Sequence, residues 1–167
     1  MKAYLKPYGF RGALQAYPAN GAAHVQRSVL ELQSDYRITR NDADYFSVAF
    51  SVGGYREGAA HPFIHFTAFT LDKKSGKIVT LADLYQLNTD FAALLRQKAM
   101  EQLEPEAGHL LPLDDKELLE DLRESGERYA AFLTDSALGI AIPMSHAFGD
   151  YFEVMLDYKD LKAFQMK

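Results

Sequence analysis

The residues able to do acid–base or metal chemistry fall in three places: His61 and His65 in "AAHPFIHF", Ser145, His146 and Asp150 in "PMSHAFGDYF", and an acidic run comprising Asp114, Asp115, Glu117, Glu120, Asp121 and Glu124. Two histidines four apart have the spacing of a zinc-protease helix, but that motif needs a Glu after the first His, and Pro62 stands there. On a strand, four residues span about 13 Å at about 3.3 Å each, too far for two ligands that must both lie about 2.0 Å from one zinc ion. The expectation is therefore no metal site. His61 reads as a bend residue whose ring hydrogen-bonds a nearby backbone group, and His65 as a strand residue facing solvent or a cross-strand partner. His61 stays a candidate contact, because loops held by a rigid sheet carry binding disproportionately.

Ser145, His146 and Asp150 invite a triad reading, yet triad members normally converge from separate parts of a fold. The stretch is expected to be a polar connection in which Gly149 permits an unusual backbone conformation. The acidic run lacks the alternating oxygen ligands and central Gly of a calcium loop and reads as the solvated face of a helix over 114–126, which would also attract a basic protein. Tyr55, and Tyr4, Tyr8 and Tyr17 near the start, offer an apolar body with a polar tip suited to sugar or protein contact, with core packing as the competing use.

The elements that must position these groups follow from periodicity. Residues 1–24 are rich in Gly, Pro and Tyr and predict an irregular segment with at most one helical turn; the domain proper runs over 25–167. Val29, Leu30, Leu32, Tyr36 and Ile38 suit a half-buried strand from Val25 to Thr39, Asn41-Asp42 a turn, and Tyr45–Val52 a strand with Phe46, Val48 and Phe50 on one face. "GGYREGAAHP" then predicts a bend, Phe63–Leu71 a third strand, and Asp72–Lys77 its closing turn. Thr80 with Asp83 fits a capping box, Asn88 or Thr89 caps a second helix bearing Phe91, Leu94, Leu95 and Leu103, and Asp114 with Glu117 opens a third bearing Leu118, Leu119 and Leu122. Strands at Tyr129–Leu133, Leu138–Ile142 and Tyr151–Leu156 and a short helix at Lys159–Phe164 complete the chain. Strands, then helices, then strands predict an α+β fold with helices on one face of an antiparallel sheet.

The bulk properties narrow the function. A chain of 167 residues with 48% hydrophobic and 25% charged residues builds one self-sufficient core. With 18 basic residues dispersed among 23 acidic ones, a net charge of −5 argues against a nucleic-acid groove and favours a basic partner. The absence of Cys excludes disulfides and thiolate chemistry. No run approaches the roughly 20 apolar residues of a membrane helix, and the first twenty residues do not read as an export signal.

Three stretches, "GGYREGAAHPFIHFTAFTLDKKSGKIVTLADLY", "FLTDSALGIAIP" and "VMLDYKDLKAF", together resemble the RsiV-type C-terminal domain, the family of unknown function DUF3298, over about residues 25–164. Gly58, Ala60, His61, Gly76, Lys77, Thr80, Leu81, Asp83, Leu84, Tyr158 and Leu161 keep its pattern, while Ala59, Ala137 and Asp157 stand where Gly, Gly and Pro are usual. The family occurs in the extracytoplasmic part of the RsiV anti-sigma factor and in PdaC-type peptidoglycan deacetylases. The resemblance makes the opening stretch of the match a hairpin bend with His61 in its signature. It implies a periplasmic or extracellular binding or sensor module without cofactor, not an enzyme, with lysozyme or peptidoglycan fragments as partners. It also implies strand and helix upstream, which residues 1–24 would replace or truncate. The candidate binding residues are then His61, Tyr55, Gly58, His146 and Asp150. The rival expectation is a cell-wall hydrolase or amidase using His61 or His146 with a neighbouring carboxylate.

Overall fold

The computed structural model describes residues 10–14, 30–103, 114–124 and 129–166. Strands β1 (Phe10–Leu14), β2 (Leu30–Asn41), β3 (Tyr45–Arg56), β4 (Phe63–Asp72) and β5 (Lys77–Val79) form an antiparallel sheet in chain order. Helices α1 (Leu81–Leu84), α2 (Thr89–Gln102) and α3 (Asp115–Glu124) follow, then β6 (Ala130–Leu133), β7 (Ala137–Pro143) and β8 (Tyr151–Asp157), which make a three-stranded antiparallel sheet. The fold is α+β.

The three-stranded sheet is the middle layer. Alternation along β7 sends Leu138, Ile140 and Ile142 to one face, where with Val154 and Leu156 of β8 they pack on Phe91 and Leu95 of α2 and Leu118 and Leu122 of α3. Ala130, Phe132 and Ala141 point the other way and meet Ala49 and Phe66 of the five-stranded sheet. The expected helices on one face thus cover the small sheet, and the remaining strands form a second sheet on its opposite face.

Close approach of the two sheets depends on small residues. A Cβ on Gly139 would lie 2.2 Å from the Phe132 ring, so the ring occupies that space instead. Ser47, fully buried, shares a 2.8 Å hydrogen bond with Thr70, and its Oγ accepts from Leu133 N at 3.0 Å, tying β3 to β6. The Arg37 guanidinium lies over the Phe66 and Phe132 rings, 5.6 and 5.1 Å from their centroids, and pairs with Glu153.

Local signals in the sequence translate directly. Thr80 and Asp83 form the capping box, Asn88 Oδ1 accepts from Phe91 N, and Asp114 Oδ1 accepts from Glu117 N. Tyr158, from the closing motif, donates to Thr134 O at 2.7 Å and accepts from Arg40, while Leu161 is fully buried. Among the described residues Asp150 is the only non-glycine with positive φ, so Ala59 and Ala137 are unstrained and Gly58, at φ 84°, carries the bend.

Three expectations change. Residues 10–14, inside the segment read as irregular, pair with Leu30–Ser34 as β1; the rest of 1–24, with Tyr4, Tyr8 and Tyr17, lies outside the described residues. Gly53 and Gly54, read as bend, continue β3 opposite Ile64 and Phe63. At Gly54 the lack of a side chain is required, since a Cβ there would meet the Phe63 ring at 2.5 Å. Lys77, read as the last residue of the turn, instead opens the short edge strand β5, in which Lys77–Val79 pair with Thr70–Asp72.

Candidate functional site

The β3–β4 bend and the β7–β8 connection come from different sheets and meet at one end of the molecule. His61 on the bend stacks on His146, with ring centroids 3.7 Å apart and planes 15° from parallel. His146 opens a 3-10 turn, His146–Phe148, which closes at Gly149 with φ 93°. Asp150 follows at φ 69°. That backbone reversal returns the Asp150 side chain over its own loop, where Oδ1 lies 3.1 Å from His146 Nδ1 while Oδ2 accepts from Ile64 N at 2.8 Å. One carboxylate therefore orients an imidazole and fastens the loop to β4, 86 positions away in the chain.

Both imidazoles are fixed at the same nitrogen. Pro62 O lies 3.0 Å from His61 Nδ1, and a carbonyl only accepts, so the proton sits on Nδ1. The Asp150 carboxylate imposes the same tautomer on neutral His146. A neutral ring in either place then carries its accepting lone pair on Nε2. The bend is braced by Tyr55, whose hydroxyl donates to Ala59 O at 3.4 Å, and reverses at Gly58, whose φ is 84° and where nothing lies within 4 Å of where a Cβ would stand. Tyr55, Phe63 and Phe148 are each 42% exposed and Ile64 41%, so apolar surface surrounds the polar cluster.

The five residues singled out from the sequence accordingly fall in two places: Tyr55 at the end of β3 with Gly58 and His61 on the bend that follows, and His146 with Asp150 on the β7–β8 connection. What sequence reasoning missed is the contact between them, together with Phe63, Ile64 and Phe148. The two His-containing polar stretches were visible separately, and no local signal joins them. His65 stands apart, on β4 opposite Val52 and exposed. Ser145 precedes the 3-10 turn and makes no side-chain capping bond. Among the described residues no group of three or more His, Asp or Glu is arranged to hold a metal.

The acidic helix has structural employment. Asp115 pairs with Arg96 of α2 at 2.7 Å, and Asp121 accepts from the Tyr129 hydroxyl at 3.0 Å. A separate cleft of about 410 Å3, lined by Phe69, Ile78, Leu84, Leu122, Tyr129 and Leu138 among others, contains none of the five candidate residues.

The fold and site define a three-layer α+β domain with a stacked-histidine platform at one loop end. No protein-family model matches the chain, and no curated protein matches it. Among solved structures it is similar to the crystal structure of a DUF3298 family protein from Pseudomonas aeruginosa PAO1, at a TM-score of 0.49 and 15% identity over 80% of this chain. The chain spans 61% of that protein's length.

Proposed function

We propose that the chain is a non-catalytic ligand-binding or sensor module of the bacterial cell envelope, working outside the cytoplasm, and that it contacts cell-wall material through the loop end carrying His61, His146, Asp150, Tyr55 and Gly58. The observation that carries this reading is the stacking of His61 on His146, locked by Asp150, in an exposed position. Exposed aromatic side chains beside two imidazoles, each able when neutral to accept a hydrogen bond from a hydroxyl, suit a sugar, which presents apolar ring faces and a rim of hydroxyls. The RsiV-type motifs support the envelope setting. Among the described residues no helix is long and apolar enough to cross a membrane.

The test is calorimetric titration with soluble peptidoglycan fragments and, in parallel, with a basic lysozyme, each at two salt concentrations. Saturable binding of the fragments, weakened at least tenfold by His61→Ala and His146→Ala in folded protein, is expected. Salt-sensitive binding to lysozyme alone would move the contact to the acidic surface, and no binding to either would overturn the reading.

The His146–Asp150 pair also has the relation in which a carboxylate orients a general base, which favours a hydrolase or amidase as the second reading. Release of soluble fragments from peptidoglycan by the wild-type chain, abolished by His146→Ala and by Asp150→Asn, would establish that alternative.

A further inference from the structure

The five-stranded sheet has one face against the middle layer and one turned away from it. Register assigns the residues. Arg37, Ser47, Ala49, Phe66 and Thr70 face the middle layer through the contacts described above, so their neighbours Tyr36, Ile38, Phe46, Val48, Phe50, Thr67 and Phe69 occupy the far face, with Ile78 opposite Leu71 at its edge. Most of the sheet's large rings are thus on the side away from the core, while Phe66 and Arg37 join small or hydroxyl residues on the side toward it. Tyr36, Phe50, Phe69 and Phe46 form a continuous row across β2, β3 and β4, with successive centroids 6.3, 5.8 and 6.5 Å apart. Tyr36 is 40% exposed, Ile38 42% and Ile78 57%.

We infer that this face is the interface of a homodimer, in which two copies pack sheet on sheet about a two-fold axis. Two observations select a second copy. First, across Leu32–Ile38, Phe46–Gly54, Phe63–Leu71 and Ile78, none of the residues that register assigns to this face is Asp, Glu, Lys or Arg, and its single histidine is His65, opposite Val52. A self-complementary interface requires such a face, because any charge on it would meet its own kind near the axis or be buried unpaired. The charges at the rim are internally settled: Lys74 pairs with Asp44, Lys73 bonds Asn41 and the Asp42 carbonyl, and Arg40 pairs with Asp42. Second, the area fits. Three strands of about nine residues and the three-residue β5, at about 4.8 Å spacing and about 3.3 Å per residue, cover roughly 475 Å2 in plan, which the relief of the aromatic side chains raises toward the roughly 800 Å2 per partner of a standard interface. The two sheets would pack about 10 Å apart with the aromatic rows interdigitating.

Each copy carries a net charge of −5, so association strengthens with added salt, whereas capture of a basic protein would weaken. The test is sedimentation equilibrium of the full chain over a range of concentrations at two salt concentrations. A species of twice the 18.8 kDa chain mass is expected, with a dissociation constant that falls as salt rises. Tyr36→Glu should shift the protein to monomer while its circular dichroism and cooperative melting persist. Ile78→Lys, at the more exposed edge, should weaken association at least tenfold and serves if Tyr36→Glu does not fold. Because the chain has no cysteine, Thr67→Cys adds an independent readout, a disulfide-linked dimer on mild oxidation. A chain that is monomeric at every concentration would overturn the inference, as would a dimer that folded Tyr36→Glu or Ile78→Lys leaves intact.

Discussion

The two ends of the five-stranded sheet are built on different principles. At the end bearing the β2–β3 and β4–β5 turns, almost every bond is local: Asp42 accepts from Asp44 N and Tyr45 N, Asp72 accepts from Lys74 N and from Ser75, and Gly76 supplies positive φ. Lys74 and Lys73 then link the neighbouring turns. At the opposite end the bend has few local bonds, and its geometry is set by a partner from the other sheet through His146 and Asp150. Short-range hydrogen bonds build a terminus that holds its own shape. Long-range contacts build one whose shape reports on whatever touches either loop, which suits recognition.

The comparison presupposes a middle layer that holds both ends in place, and the largest expected effect breaks it. Gly139→Ala drives a Cβ into the buried Phe132 ring and should destabilise by about 3 kcal/mol in chemical denaturation. Gly54→Ala meets Phe63 at nearly the same distance, but that ring is 42% exposed and can swing away, so the loss should stay below about 1 kcal/mol. Equal losses would mean that the loop end is as tightly packed as the core.

Next in size is Asp150→Ala, which removes the acceptor for Ile64 N and the His146 contact and leaves alanine at positive φ. A loss of about 2 kcal/mol is expected. Asp150→Asn should restore about half of it, since asparagine tolerates the same backbone region and keeps an acceptor. If Asp150→Ala melts like wild type, the two loops are not latched.

The local end should declare itself in acid. Backbone donation from Tyr45, then Arg40, hold the Asp42 carboxyl down at about 2, and backbone and hydroxyl bonds hold Asp72 below the ordinary range as well. Depressed carboxyls favour the folded state above their ordinary value near 3.8, and that contribution disappears as pH falls toward 2. Denaturant midpoints measured between pH 5 and 2 should therefore fall with acid, and less steeply in Asp42→Asn. A mutant curve parallel to wild type would remove Asp42 from the account.

The smallest expected effect sharpens the contrast. His61→Ala should change stability by less than about 0.5 kcal/mol, as exposed positions usually do, while abolishing the stacked platform and weakening ligand binding. A melting loss without a binding loss would make the histidine architectural.

Much of the chain was legible because its signals are local. Capping at Thr80, Asn88 and Asp114, the apolar stripe of Leu118, Leu119 and Leu122, and the period-two alternation of Phe46, Val48 and Phe50 act within a few residues of themselves. Gly53 and Gly54 misled because glycine signals a turn and a close approach equally well, and at Gly54 only Phe63 on the facing strand decides between them. Alternation likewise showed that Phe46, Val48 and Phe50 share a face, but not that the face looks away from the middle layer.

The sequence by itself determined the order and type of every long element, though not of the short strands β1 and β5, together with the α+β class and the two polar loops, since propensity, capping and periodicity are properties of neighbouring residues. Tertiary structure alone decided that the strands divide into two sheets, that His61 meets His146, and that Asp150 spans the gap between them. Those outcomes depend on how apolar faces bury one another across the whole chain, and neither the register nor the reversal at Gly149-Asp150 exists until that packing is complete.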